Sequence, residues 1–174
     1  MLVDQFTTFL LDLDGVVYVG DEALPGSSEA VSRLRATGKN IRFLTNDPRS
    51  TRHQIVQKLQ AVGVRAWPEE VVTCGWATGA YLRAHAKRSA YVVGSDGLRD
   101  ELTDAGVRVV DAGEADAVVV GCDASIAYPH IRHAAQLIRR GASFVATNDD
   151  ATFPTAEGPA PATGAIVAAV RVAA

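Results

Sequence analysis

The sequence predicts an α/β fold with parallel strands, and three observations carry that prediction. Short aliphatic and β-branched runs alternate with stretches whose apolar residues recur at helical spacing, the order expected of βαβ units. Turn signals such as Pro25-Gly26, Gly38 and Gly63 fall between them. The first apolar run, Phe9-Leu10-Leu11-Asp12-Leu13-Asp14-Gly15-Val16, ends in two carboxylates, and open parallel sheets bind ligands at the carboxyl ends of their strands.

Thr8 to Leu13 is the first strand, expected to be buried. Pro25-Gly26-Ser27-Ser28 offers a turn and a helix cap, Ala30, Val31 and Leu34 an apolar face, and Gly38 a stop. Ile41-Arg42-Phe43-Leu44 reads as the second strand, ending in Thr45-Asn46-Asp47-Pro48. Thr51 with Gln54 forms a capping-box pattern, and Ile55, Val56, Leu59 and Val62 carry a helical stripe closed by Gly63. Val71-Val72-Thr73 is a short third strand, and a helix follows through Ala77, Ala80, Tyr81 and Leu82. The polar stretch His85 to Ser89 reads as a boundary. A second α/β cycle then runs through Tyr91-Val92-Val93, a helix from about Asp96 to Ala105, Val107 to Val110, Ala117 to Val120, a helix from about Tyr128 to Arg140, and Phe144-Val145-Ala146. Phe153 to Thr163, with its three prolines, reads as a return linker.

A length of 174 residues allows one good core or two small ones, and 48% apolar residues support a globular fold. The formal charge of −3, with 17 basic and 20 acidic residues interspersed, leaves no footprint for nucleic acid or an anionic membrane, and both are excluded as partners. Cys74 and Cys122 each follow a β-type run in no metal-ligand spacing, which favours buried free thiols in a reducing compartment over a disulfide. No charged segment precedes a long apolar stretch at the amino terminus, and the apolar run Ala165 to Ala174 is too short to span a bilayer and contains Arg171. A cytoplasmic location is expected. His130 and His133, three apart on a helix, lack a third ligand and read as polar helix-face residues, while Trp67 and Trp76 read as packing residues.

The carboxylate pair is the chemical signal. Residues two apart on a strand share a face, and Gly15 lets the chain turn, so Asp12 and Asp14 can converge above the strand end. Two unit charges about 4 Å apart repel by roughly 4 kcal/mol at an effective dielectric near 20, which a divalent cation or a proton on one of them would relieve. Turn chemistry alone explains Asp14-Gly15 but leaves Asp12 unexplained.

The stretch Asp12-Leu13-Asp14-Gly15-Val16-Val17-Tyr18 resembles the first motif of the haloacid dehalogenase superfamily, most of whose members are phosphatases. The resemblance implies that Asp12 is a nucleophile forming an aspartyl phosphate and that Asp14 is the general acid/base, its pKa raised by its neighbours. It implies magnesium as cofactor, held by Asp12 and Asp14, the latter through its main-chain carbonyl. Thr45 resembles the second motif, whose hydroxyl binds phosphate, and Asn46 follows as in the NagD-like branch of nitrophenyl phosphatases and glycerol-phosphate phosphatases. Where that branch usually has a second Asn, this chain has Asp47, expected to be a helix-entry residue facing away from the phosphate. Val93 to Leu98, Val119-Val120-Gly121 and Ala146 to Thr155 resemble that branch's α/β cap, of the C2 type, which closes over the site. Asn148 and Asp149 are expected at its site-facing edge. Pro161-Ala162-Thr163-Gly164 stands where a Pro-Gly-x-Gly linker is usual.

The implied architecture is an incomplete Rossmann-like parallel core sheet with an inserted cap: residues 1–87 as core, 88–162 as cap and 163–174 as a return helix to the core. The superfamily's lysine and last aspartates should follow the cap. The only lysines here are Lys39, Lys58 and Lys87, and no Asp follows Asp150. The expected activity is therefore magnesium-dependent hydrolysis of a small phosphate monoester, weak or absent in this 174-residue form. Two other readings stay open: a non-catalytic phosphate-binding or phospho-acceptor module, and a fragment acting only through the open edge of its first strand, where a second copy or another chain would pair.

Overall fold

The computed structural model describes residues 2–155 and 157–174. Its contacts divide the chain into two compact units, the first holding residues up to Thr45 with Arg52–Thr73, the second Asn46–Thr51 with Cys74–Ala174.

In the first unit, β1 (Thr8–Asp12), β4 (Asn40–Thr45) and β5 (Val71–Thr73) form a parallel sheet in the order β1-β4-β5. Between β1 and β4 the chain makes a small hairpin, β2 (Tyr18–Val19) with β3 (Glu22–Ala23), that the sequence did not announce, and then α1 (Ser27–Ala36). Helix α2 (Arg52–Ala61) carries the predicted stripe inward through Ile55, Val56 and Leu59. The stops hold as expected. Gly63, at φ +80°, turns the chain so that Val64 N–H reaches the Leu59 carbonyl at 2.8 Å, a left-handed closure that glycine adopts without strain. The core gathers Leu13, Val17, Tyr18, Val31, Ile41, Phe43, Leu59 and Val71. A second tie is polar: Arg35 forks onto Glu70 through contacts of 2.7 and 2.6 Å, and also donates to the Arg65 carbonyl at 2.8 Å.

Of the two expectations for this apolar run, a buried strand and an open edge, the structure has the open edge: among the described residues only β4 pairs with β1, and Leu10 is 65% exposed.

The second unit is a parallel sheet of order β7-β6-β8-β9, from β6 (Ser89–Val93), β7 (Arg108–Val110), β8 (Ala117–Val120) and β9 (Ser143–Ala146). Every residue of β6 and β8 is buried, as a parallel sheet covered on both faces requires. Alternate side chains serve opposite layers. Ala90, Val92, Ala117 and Val119 pack with Leu82 of α3 (Cys74–Ala84) and with Leu98 and Leu102 of α4 (Asp96–Asp104). Tyr91, Val93, Val118 and Val120 pack with Ala134 and Leu137 of α5 (Tyr128–Arg139) and Val167 and Val170 of α6 (Thr163–Ala173).

Two segments differ from the sequence expectation. Helix α3, counted with residues 1–87, packs on α4 in the second unit, and α6, expected as a return helix to the core, packs on α5 and β8. The face each helix buries, Gly75, Thr78, Gly79 and Leu82 of α3 and Thr163, Val167 and Val170 of α6, does not say in the sequence which sheet it will cover. The expected linker is a hairpin, β10 (Thr152–Thr155) with β11 (Gly158–Pro161). Its prolines share one phase of the ladder, Thr152↔Pro161 and Pro154↔Pro159, so the Phe153↔Ala160 and Thr155↔Gly158 pairs can carry the hydrogen bonds. Among the described residues no helix is long and apolar enough to cross a membrane.

Helices α3 and α4 meet at Gly79, where an added Cβ would lie 2.5 Å from the Cβ of Ala105. Gly79→Ala should therefore destabilise the chain by about 1–3 kcal/mol, read as a lower urea midpoint with an unchanged slope. The Asp116 carboxylate accepts main-chain N–H bonds from Arg88 (2.8 Å) and Ser89 (2.9 Å), which hold it below the usual carboxylate range. A lowered folded pKa means its contribution is present above the ordinary carboxylate pKa and is lost as pH falls through the folded value. Asp116→Asn should thus be less stable than wild type at neutral pH, with the gap closing in acid; a pH-independent gap in thermal midpoint would contradict this.

Candidate active site

The residues of the first motif are placed by alternation. Leu13 is fully buried in the core, while Asp12 and Asp14 on either side of it are exposed, so both carboxylates sit on the side of the chain that faces away from the core. The turn beyond them is wrapped around one acceptor. Val16, Val17 and Tyr18 donate N–H bonds to the Leu13 carbonyl at 3.2, 2.9 and 3.2 Å, and Gly15, at φ +79°, donates back to the Tyr18 carbonyl at 2.8 Å. Buried Val17 and Tyr18 anchor this turn, Ser27 Oγ donates to the Val17 carbonyl at 2.8 Å, and the Lys58 ammonium stands 4.1 Å from the Tyr18 ring centroid. Asp12 Oδ1 accepts the Leu13 N–H at 2.8 Å, a bond that fixes the carboxylate without using Oδ2.

Thr45 is brought to the same edge. Parallel β1 and β4 pair in the register Asp12↔Leu44, so Thr45 lies one step further along the neighbouring strand and both strands end at the carboxyl edge. Thr45 follows Ile41 and Phe43 in the buried phase of β4 and is 6% exposed. A carboxylate and a hydroxyl-bearing residue are thereby placed on adjacent strand ends, the position where open α/β sheets bind ligands. All protein donors here are oxygens, and Asp12 and Asp14 open to solvent, which fits a hard cation that retains waters. Among the described residues there is no group of three or more His, Cys, Asp or Glu that could hold a metal ion.

The other expected site residues lie in the second unit. Asn46, directly after Thr45, donates from Nδ2 to Asp150 Oδ2 at 2.6 Å, and its main-chain carbonyl accepts from Asn148 Nδ2 at 2.8 Å. Asn148 therefore meets Asn46 as a hydrogen-bond partner. Among the described residues Asp149 shows no bond to Asn46; its carbonyl lies 2.8 Å from where a Cβ on Gly164 would stand, and it is Asp150, not singled out in the sequence, whose carboxylate meets Asn46. Asp47 caps its own turn, accepting from the Arg49 N–H at 3.1 Å and Ser50 Oγ at 2.7 Å. Cys74 closes the segment from below, its thiol directed at the Asp47 carbonyl at 3.2 Å and pushed up to about 12 by burial and by the Asp47 charge. His130 Nδ1 accepts the Ala127 N–H at 2.9 Å and so caps α5, and His133 packs edge-on against Tyr91.

The model of the haloacid dehalogenase-like hydrolase family matches residues 9–108. Among curated proteins, the acid sugar phosphatase of Staphylococcus aureus is 34% identical over 169 residues, which cover 97% of this chain and 65% of that protein. Two solved structures are similar throughout: a p-nitrophenyl phosphatase from Archaeoglobus fulgidus, with 30% identity and a TM-score of 0.90 over 95% of this chain and 64% of that one, and a glycerol phosphate phosphatase from Mycobacterium tuberculosis in complex with magnesium, with 31% identity and a TM-score of 0.91 over 99% of this chain and 53% of that one. The chain thus spans about two thirds or less of the length of these relatives. NagD from E. coli is also similar, at 31% identity and a TM-score of 0.86. With the family matched over more than half of the sequence and such relatives aligned along nearly all of it, the chain belongs to the haloacid dehalogenase-like hydrolases, in their NagD-like, nitrophenyl-phosphatase branch.

Proposed function

We propose that this chain carries the nucleophile half of a magnesium-dependent phosphatase acting on small phosphate monoesters through an aspartyl phosphate. The observation that carries the reading is the adjacency of Asp12 and Thr45 on paired strand ends, with Asp14 on the same side of the chain as Asp12. The relatives named as sugar, nitrophenyl and glycerol phosphate phosphatases support it.

In this scheme the Asp12 carboxylate attacks phosphorus and the bond to the leaving oxygen breaks. Asp14, protonated at that moment, donates its proton to the departing alkoxide. Asp14 then takes a proton from water, whose oxygen attacks the same phosphorus and breaks its bond to Asp12, releasing inorganic phosphate. The Thr45 hydroxyl and Asn46 bind the phosphate oxygens. Magnesium, held by Asp12 and the Asp14 carbonyl, would neutralise phosphate charge that otherwise repels the attacking carboxylate.

A second reading, a phospho-acceptor or phosphate-binding module, is favoured by the lysines. Lys39 donates to the Phe6 carbonyl at 2.7 Å and Lys58 is held over Tyr18, so both lysines of the first unit already have structural contacts. One measurement separates the two: release of phosphate from nitrophenyl phosphate and from sugar and glycerol phosphates, with and without magnesium, on wild type and Asp12→Asn. Slow magnesium-dependent release is expected from wild type, and Asp12→Asn should lower it at least 100-fold, about 2.7 kcal/mol. An acyl phosphate that accumulates at Asp12 without turnover would select the second reading. Release that is unchanged in Asp12→Asn would reject both.

A further inference from the structure

We propose that a cavity at the carboxyl edge of the second unit's sheet binds an uncharged ribonucleoside, with Asp111 and Tyr91 on its ribose hydroxyls. Every residue in the argument lies in that unit, and the inference does not rest on the phosphatase reading.

The topology provides the place. In the order β7-β6-β8-β9, β6 leads through α4 to β7 on one side, while its neighbour β8 leads through α5 to β9 on the other. Helix α4 packs on one face of the sheet and α5 on the opposite face. The loops after β6 and β8 therefore part, and open parallel sheets bind ligands at such a switch point. A cavity of about 400 Å³ lies there, in the size range of small-molecule sites, with Tyr91, Asp96, Arg99, Asp111, Ser125 and His130 in its lining.

The ribose is assigned from two side chains. In dinucleotide-binding βαβ units an acidic residue about twenty positions beyond the glycine turn takes the ribose hydroxyls. Here Asp111 comes seventeen positions after Gly94, and the register Tyr91↔Val110 makes it the first residue past the pairing of β6 with β7. The Arg99 guanidinium holds Asp111 through Oδ1, which leaves Oδ2 for a ligand. Tyr91 supplies the second group. The residue is only 6% exposed and its ring packs edge-on against His133, yet among the described residues its hydroxyl has no hydrogen-bond partner. Hydroxyls on side chains so buried are nearly always bonded, and this one is on the cavity wall. Burial raises its pKa, so it stays a neutral phenol that can donate.

The ligand is a nucleoside rather than a nucleotide because the place of the phosphates is filled. In dinucleotide sites they sit at the start of the helix after the first strand. At the start of α4, Ser95 Oγ donates to the Arg49 carbonyl at 3.0 Å and accepts the Leu98 N–H at 3.2 Å, and Gly97 admits the same carbonyl oxygen where a side chain would stand. Asp96 places a carboxylate in the same turn, and with Asp111 it outweighs the single charge of Arg99, which disfavours an anion. His130 Nδ1 accepts the Ala127 N–H at 2.9 Å, so the ring is neutral and its Nε2–H is a donor suited to a base edge, with Ile126 as an apolar neighbour in the lining.

The test is titration of the isotope-labelled chain with adenosine, followed by amide chemical shifts. Saturable binding with a Kd below about 1 mM is expected, with shifts centred on Gly94, Asp111 and Ser125. Dideoxyadenosine, which lacks both ribose hydroxyls, should bind at least about fivefold more weakly, and adenosine monophosphate no more tightly than adenosine. Asp111→Asn should weaken adenosine about fivefold and leave dideoxyadenosine unchanged, and Tyr91→Phe, which keeps the packed ring, should weaken adenosine about threefold. Amide spectra that match wild type away from the substitution establish that each variant is folded. The proposal is overturned by absence of saturable shifts, by shifts centred on Asp12 and Thr45, by tighter binding of the monophosphate, or by an Asp111→Asn loss that is equal for adenosine and dideoxyadenosine.

Discussion

The parallel pairing of β1 with β4 is the constraint on which the proposed chemistry depends. Its register, Thr8↔Asn40 through Asp12↔Leu44, brings Asp12 and Thr45 to one edge of the sheet. A slip of one residue would invert every side chain, burying Asp12 and Asp14 and exposing Leu13. Burial of Leu13, worth about 1.5–3 kcal/mol, opposes that slip, as does the cost of desolvating two carboxylates. The three N–H bonds onto the Leu13 carbonyl then set the turn, so the same residue fixes strand register and loop shape.

In the second unit the corresponding constraint is close main-chain approach. Gly97 and Gly164 each admit a carbonyl oxygen where a side chain would stand, against Arg49 in one case and Asp149 and Asp150 in the other. These approaches bring the 46–51 segment and the 148–151 loop into hydrogen-bonding range of their neighbours, and the Asn46, Asn148 and Asp150 side chains complete the network. A short segment that continues β4 is thus fixed by contacts with residues about a hundred positions later in the chain.

Electrostatically, the first motif avoids the burial of charge that its apolar context suggested. Asp12 and Asp14 open to water, so their mutual repulsion is screened and neither requires a buried counter-ion. That openness suits the proposed attack of a carboxylate on a phosphate, and an all-oxygen donor set suits a hard cation. Lys39 and Lys58 contribute to folding contacts instead, at the Phe6 carbonyl and the Tyr18 ring.

By itself the sequence determined the strand and helix order, the carboxylate pair, Thr45 on the next strand, and the family, because each is written in local periodicity, turn residues or an ordered motif. Gly63 could be read as a helix stop since its left-handed conformation is a local property. Which sheet α3 and α6 cover, the hairpin at Thr152–Pro161, and the bond between Asn46 and Asp150 were decided by tertiary structure. An amphipathic stripe specifies burial but not a partner, prolines compatible with an edge ladder look like linker residues, and an irregular loop has no period to aim its side chains.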